Sequence, residues 1–278
     1  MDALYTKTSK ECSKLITNRY STSFSMGIRL FHKKFRMPIY SIYGFVRFAD
    51  EIVDTFHESD KRYLLEKFKK DTYEAIDQKI SLNPVLHSFQ EVVNKYNIDL
   101  ELIEAFLVSM EMDLDNSVYT PALYNEYIYG SAEVVGLMCL KIFCAKNEVQ
   151  YNALKDDAKS LGSAFQKINF LRDIKSDYNE RGRVYFPNVD YNMFSEQDKL
   201  EIEKDISNDF DNGLRGIRSL PTGARFGVYL AYIYYVNLFN KIKGAPVEVV
   251  KEKRIRVKNR KKIYLLAKSA VKSRLNLI

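Results

Sequence analysis

The chain has 278 residues, 46% hydrophobic and 28% charged, with a net charge of +7 and a pI near 9.0. This is the composition of a folded globular chain and excludes disorder, while 11 Gly and 6 Pro are too few for the many turns of an all-β fold. The charge is local: residues 251–278 hold eleven Lys/Arg and one acid, which leaves residues 1–250 at −3. The pI therefore describes a basic tail on a mildly acidic body, and no nucleic-acid partner is expected.

The N-terminal ten residues are polar, with no apolar core, so no signal peptide is expected there. No stretch reaches the roughly 18 uninterrupted apolar residues of a membrane span; the best, 134–145, contains Lys141. Cys12, Cys139 and Cys144 are odd in number and lack metal spacing, which favours reduced thiols and a cytoplasmic setting. His32, His57 and His87 are scattered, so a His-built zinc site is not expected.

The dominant hydrophobic period is helical. Ile103, Phe106, Leu107, Met110 and Leu114 follow an i, i+3, i+4, i+7, i+11 pattern. Helices are predicted near 3–19, 38–57, 60–78, 84–95, 98–115, 121–145, 148–178, 195–218, 223–243 and 258–275. Pro38, Pro84 and Pro121 stand where helices would begin, and Pro187, Pro221 and Pro246 in connections. With no repeat and no low-complexity linker, the chain reads as one all-α domain over 1–278.

Two of these helices carry chemistry. Asp50 and Asp54 are four apart and share one helix face, with Phe45, Phe48 and Ile52 packing on the other side. Stacked like charges cost an isolated helix a few tenths of a kcal/mol, about what a divalent cation would relieve. On a solvated face the same acids would instead pair with Arg47 and nearby lysines. Asn169, Asp173 and Asp177 make a second stripe at i, i+4, i+8, with Ile168, Leu171 and Ile174 on the buried side. Two stripes of oxygen ligands suit Mg²⁺ bound through phosphate. A di-iron bundle would use Glu-x-x-His, and no histidine has that spacing. Tyr43 and Arg47 lie one turn apart near the first stripe. Ser21-Thr-Ser23-Phe24-Ser25 offers hydroxyls for phosphate, or is simply a Ser/Thr-rich loop or helix cap.

In these residues the chain resembles the squalene/phytoene synthase family of head-to-head prenyl transferases, over roughly Ser21 to Lys262. The resemblance is carried by Ser21-Thr-Ser-Phe24, Tyr43 to Asp54, Met112-Asp113-Leu114, Tyr127 to Gly136, Leu161 to Ile174, and Arg181-Gly-Arg-Val-Tyr185-Phe-Pro187. It implies an all-α isoprenoid-synthase bundle around a central cavity, joining two prenyl diphosphates through a cyclopropylcarbinyl diphosphate. By position, Asp50, Asp54, Asn169, Asp173 and Asp177 would hold two or three Mg²⁺ bridged by diphosphate. Ser21, Ser23, Tyr43, Arg47 and Arg254 would contact diphosphate oxygens, while Tyr127, Gln166 and Tyr185 would line the site. Asp50, Asp54, Asp173, Asp177 and Tyr127 are the expected catalytic residues, and Phe24 and Tyr127 the aromatics expected in the cavity.

Glu51 stands where many relatives have a second Asp, and Ser176 where many have Glu, so one outer carboxylate is lost. The compact chain favours phytoene synthesis from two geranylgeranyl diphosphates. The alternatives are squalene (with NADPH) or dehydrosqualene from farnesyl diphosphate, and a non-catalytic helical binding module. A downstream desaturase is the partner enzyme the first reading implies. In the tail, Ile263, Leu266, Ala267, Ala270 and Val271 form an apolar stripe flanked by Lys262, Lys268 and Lys272. It would either lie on the inner face of an anionic membrane or dock on the body.

Overall fold

The structure, a computed structural model, describes residues 3–115, 118–187 and 189–274, without the side chains of 259 and 271–274. Among the described residues there are helices and no strand, and a single parallel bridge joins Val118 to Val184. The all-α expectation holds.

Helix α1 (Ala3–Tyr20) leads to α2 (Thr22–Leu30), capped by Ser21, whose hydroxyl accepts from Phe24 N at 3.3 Å. Helix α2 is not among the predicted helices: nine residues make only about two and a half turns, too short a window for periodicity to register. Helix α3 (Lys33–Asp54) begins before Pro38 rather than at it. Lys34, whose carbonyl Pro38 cannot serve, sits at the exposed end of the helix, where water can replace the missing donor.

Helices α4 (Lys61–Gln78), α5 (Pro84–Tyr96) and α6 (Leu100–Asp115) follow. Asp60 caps α4 and Asn83 caps α5, and Pro84 takes the first turn, where its missing N–H costs nothing. Pro121 does the same for α7 (Pro121–Ile128), which runs through a π turn (Tyr129–Glu133) into α8 (Val134–Cys144). Gly130 is required in that turn, since a Cβ would stand 2.3 Å from the carbonyl oxygen of Ala105. Taken together, Pro121–Cys144 is long and apolar enough to cross a membrane by length and composition, but 61% of its most apolar window is packed inside the protein.

Helix α9 (Glu148–Arg181), about 50 Å long at 1.5 Å per residue, is the spine of the fold. Gly182, at φ +67°, ends it in a left-handed cap. A Ser195–Asp198 capping box starts α10 (Glu196–Ser219), then α11 (Thr222–Lys243), the short α12 (Val247–Glu252) and α13 (Asn259–Arg274). Helix α12 is a second element the sequence pattern did not isolate; six residues hold less than two turns of pattern.

One core packs α3, α5, α6 and α8 around Phe45, which stacks on Phe89 at 3.8 Å and meets Phe106 at 5.3 Å. All three rings are at most 1% exposed, which stabilises the fold by roughly 1.5–3 kcal/mol each. Phe48, expected on the same buried side, stays 37% exposed and only leans on Phe68. A second core gathers α7, α9, α10 and α11 around Phe170, Phe186 and Phe210.

The tail helix docks on the body. Leu265 is buried against Leu230 and Tyr234, and Ser269 is buried one turn further on. This corrects the predicted stripe: Ile263 and Ala267 are exposed, and the docked face runs through Lys262, Leu265, Leu266 and Ser269. Val271 and Lys272 of the predicted stripe, and the predicted end at 275, lie outside the described residues.

Candidate active site

The two acidic stripes face each other. Arg181, in the last turn of α9, donates from Nη1 to Asp177 Oδ1 at 2.8 Å, while its Nε lies 3.4 Å from Asp54 Oδ1 on α3. Arg183, just past the Gly182 cap, reaches the same Asp54 oxygen at 3.1 Å. On α3, Arg47 forks to Asp50 and Glu51 with its guanidinium 4.4 Å over the Tyr20 ring. On α9, Asp173 is held by Arg172 and by Arg254, whose Nε is 2.8 Å away. The acids at 50, 54, 173 and 177 are thus laced by arginines at one mouth.

That mouth is still short of positive charge. Burial, reinforced by the charge of Asp54, pushes Asp50 up to about 7 against the pull of Arg47. Burial also pushes Asp177 up to about 7, with Arg181 opposing and Asp173 adding to the rise. Arg47 supplies the complementary deficit, because its Nε is buried with no acceptor. Among the described residues no three His, Cys, Asp or Glu side chains gather closely enough to hold a metal alone. One or two carboxylates per ion, completed by phosphate oxygens and water, is the donor set Mg²⁺ prefers, and the stripes fit it.

Beside the mouth opens a cavity of about 420 Å³. One face of α9 lines it in strict helical register: Leu154, Asp157, Ala158, Leu161, Gly162, Phe165, Gln166 and Asn169. Ser21, Ser23 and Phe24 from α2 and Tyr43 from α3 line it near the acids, and Phe31, Leu140 and Phe143 are among its apolar walls. Phe24 stacks on Tyr43 at 4.7 Å, and burial raises the Tyr43 phenol above its ordinary value. Gly227 makes room for one wall, because a Cβ there would stand 2.3 Å from the Phe31 ring. The far end is not wholly apolar: Asp157 lines it while pairing with Arg215 at 2.7 Å.

The structure moves Tyr127 away from its expected place. It is buried and does not line the cavity; its hydroxyl donates to Asp113 Oδ2 at 2.9 Å. Tyr185, which lines only a small crevice beside Asp177, donates to the other Asp113 oxygen at 2.9 Å. Tyr127 is expected in the cavity and Tyr185 only along the site; both rings pack with Phe170, and Tyr185 stays beside Asp177. Asp113 also faces Arg183 at 3.3 Å, and Arg183 donates to its backbone carbonyl at 2.9 Å. Burial pushes the Asp113 carboxyl up to about 6 despite these donors, which leaves it mainly ionised at neutral pH.

The other expected residues are at the mouth or the cavity. Gln166 and Asn169 line it, Tyr235 donates to Asn169 Oδ1 at 3.2 Å, and Arg254 reaches in over Asp173. The sequence analysis gives no role to Asp113, Arg172, Arg181, Arg183 or Tyr235, and names Lys262 only as a flank of the tail stripe. Asp113, Arg172, Arg181 and Arg183 stood inside the quoted motifs, so their signal was present without a role.

The model of the squalene/phytoene synthase family matches residues 17–261. The chain belongs to the squalene/phytoene synthase family. Phytoene synthase from Arthrospira platensis is 25% identical over 270 residues, covering 88% of this chain and 87% of that one. The 15-cis-phytoene synthase of Synechocystis is 27% identical over 280 residues, covering 92% and 82%. Among solved structures, a dehydrosqualene synthase in complex with ligand superposes with a TM-score of 0.82, at 22% identity, covering 98% of both chains. The squalene synthase HpnC from Alicyclobacillus acidocaldarius gives 0.76 at 19% identity, covering 87% of this chain and 95% of that one. In this family member the fold is thus the isoprenoid-synthase bundle, and the enzyme is a prenyltransferase acting on prenyl diphosphates.

Proposed function

We propose that this family member is a phytoene synthase, condensing two geranylgeranyl diphosphates head to head. The observation that carries the reading is the length of the α9 stripe. From Asn169 beside the acids to Leu154 it spans fifteen residues, about 22 Å of helix. Extended chains advance about 1.2 Å per covalent bond, so four isoprene units need about 19 Å and three about 14 Å. A C20 tail matches the stripe better than a C15 tail. The two sequence relatives described above are named phytoene synthases, which supports the same reading.

Each group then has a task. Tyr43, Ser21, Ser23 and the spare Nε of Arg47 would bind diphosphate oxygens, and Arg254 would meet the same anion from the tail. Asp50 and Asp54 on α3, with Asn169, Asp173 and Asp177 on α9, would hold Mg²⁺, which would neutralise the charge on the departing diphosphate. The allylic C–O bond breaks, diphosphate leaves with the bonding pair, and the double bond of the second substrate attacks the cation. The apolar walls around Phe24, Phe31 and Phe143 exclude the water that would otherwise capture it. Asp113, Tyr127 and Tyr185 act behind the acids, fixing Arg183 against Asp54.

The hydrocarbon product needs an apolar phase. The outward face of α13 carries exposed Ile263 and Tyr264 among lysines, and we propose that it meets an anionic membrane surface. Liposome flotation of the full chain against one truncated after Lys262 tests this; equal binding overturns it. The reaction is tested by product analysis with each diphosphate, with and without NADPH. C40 hydrocarbon from geranylgeranyl diphosphate is expected. C30 hydrocarbon alone, from farnesyl diphosphate, would overturn the chain-length reading.

A further inference from the structure

Asp157 stands where an apolar cavity has least use for a carboxylate. It lies on α9 twelve residues before Asn169, about 18 Å along the helix, and lines the far end of the cavity with Ala158, Ile217 and Leu220. Its Oδ1 accepts from Arg215 Nη2 at 2.7 Å, and the Arg215 side chain is 68% exposed against 12% for Asp157. One carboxylate thus touches the cavity on one side and a surface guanidinium on the other. At Gly216 helix α10 contributes only backbone to this wall, because a Cβ there would stand 2.5 Å from the Asp157 Cβ. Gly213, one turn earlier, lies against Leu161 in the same manner, at 3.1 Å. Between α9 and α10 the wall at this level is the Asp157 side chain itself, held in place by an ion pair.

The charge is out of keeping with an apolar ligand. A prenyl tail offers Asp157 no donor, and a leucine would line the same wall without a charge to desolvate. What the ion pair provides is a contact that can part. With Arg215 largely in water the pair is weak, and both groups can be hydrated once separated. Length decides when that matters. At about 1.2 Å per covalent bond, a tail of four isoprene units extends about 19 Å and reaches the level of Asp157, while five units need about 24 Å. The α9 stripe ends at Leu154, about 22 Å from Asn169, so a five-unit tail overruns it.

We propose that the Asp157–Arg215 pair is the stopper of a second opening, between α9 and α10 at the tail end of the cavity, and that it decides the longest prenyl chain accepted. The inference rests on the reading that the tail runs along the α9 stripe away from the acids, and adds to it a specificity-determining pair and a route out. With the pair closed, the cavity takes four isoprene units and rejects five. With it parted, the end of a longer apolar chain passes between the helices beside Gly216. Asp157 is the wall, and Arg215 positions its carboxylate from outside the cavity.

Two readouts test this, one of them independent of catalysis. Cys139 on α8 lines the cavity near this end, one turn beyond Gly136, whose Cβ would stand 3.1 Å from the Ala158 carbonyl oxygen. Burial pushes its thiol up to about 12, so labelling by methyl methanethiosulfonate is slow and a gain is readable by mass spectrometry. Arg215→Ala and Asp157→Ala are each expected to speed labelling of Cys139 several-fold, with buried Cys144 unaffected and Arg215→Lys close to wild type. The mouth is the same in all these proteins, so a difference reports the far end. The second readout is turnover of geranylfarnesyl diphosphate relative to geranylgeranyl diphosphate. That ratio is expected to rise about tenfold or more in Asp157→Ala and several-fold in Arg215→Ala. A purely structural pair predicts a lower Tm with labelling and ratio unchanged, and wild-type values of either readout in both variants overturn the proposal. Should Asp157→Ala fail to fold, Arg215→Ala, at an exposed position, carries both measurements. If the wild-type chain turns over neither diphosphate, the reading of the cavity falls, while the labelling still decides whether the pair closes it. If it turns over geranylgeranyl diphosphate and the variants leave the ratio unchanged, the role of the pair alone falls.

Discussion

Asp54 on α3 and Asp177 on α9 are joined through one guanidinium, that of Arg181, which lies 3.4 Å from the first and 2.8 Å from the second. The contact fixes the distance between two stripes that share no local sequence. It makes the mouth a single electrostatic unit, so changes on one helix should be felt on the other.

Replacing a stripe acid should therefore remove catalysis without removing the fold. Asp50→Asn and Asp173→Asn are expected to lose turnover at least 100-fold, a loss of the size typical of removing one group that stabilises transition-state charge. Far-UV circular dichroism should stay helical in both. Wild-type turnover in either variant would sink the site assignment.

Chain length should respond to the distal end of the α9 stripe. Ala158 lines the cavity eleven residues before Asn169, about 16 Å away along the helix. Ala158→Phe should cut turnover of geranylgeranyl diphosphate at least tenfold while sparing farnesyl diphosphate. Parallel assays of the two substrates check it, and an equal loss on both would refute the ruler.

The buried network behind the acids should matter for stability. Asp113 is 9% exposed and accepts from two tyrosines while facing Arg183. Asp113→Asn leaves the 8%-exposed Arg183 without one of its two carboxylates. Breaking a buried pair in this way costs about 3–5 kcal/mol, less here because Asp54 remains. Urea denaturation of Asp113→Asn, Arg183→Gln and the double variant should show strong non-additivity.

The pH dependence of the metal-free chain follows from its raised acids. Asp50 and Asp177 titrate near 7 in the fold against an ordinary value of 3.8, so the folded state holds more protons between those limits. Their contribution to stability is fully present below about pH 4 and is lost as pH rises through 7. His87 runs the other way. It is fully buried, accepts from Ser81 N and meets Thr6, and burial lowers its pKa, so its contribution is lost as pH falls below 6.5. Asp177→Asn should flatten the Tm profile between pH 5 and 8, and His87→Gln should flatten it near pH 6. Profiles unchanged from wild type would contradict both assignments.

Periodicity made much of this legible. The stripes at 50/54 and 169/173/177 lie on uninterrupted helices, where i, i+4 spacing is geometry. What stayed hidden depends on contacts distant in sequence. Nothing near Tyr127 says that its hydroxyl turns to Asp113 rather than to the cavity, and nothing near Lys262 says that it meets Ser23. Pro38 misled because proline usually opens helices, while here a further turn precedes it, anchored in the core by Phe35. The tail stripe misled because the docked face is set by Leu265 against Leu230 and Tyr234, contacts distant in sequence.

The arginine lacing has one further consequence. Each acid already has a guanidinium, and several guanidiniums already have an acid. A lone divalent ion would have to draw a carboxylate from its arginine, and a lone diphosphate would find little beyond the Arg47 Nε that has no acceptor. Arriving together, they let both sets of groups change partners without stranding a charge. On the proposed reading, the resting mouth would hold the two ligands together better than either one alone.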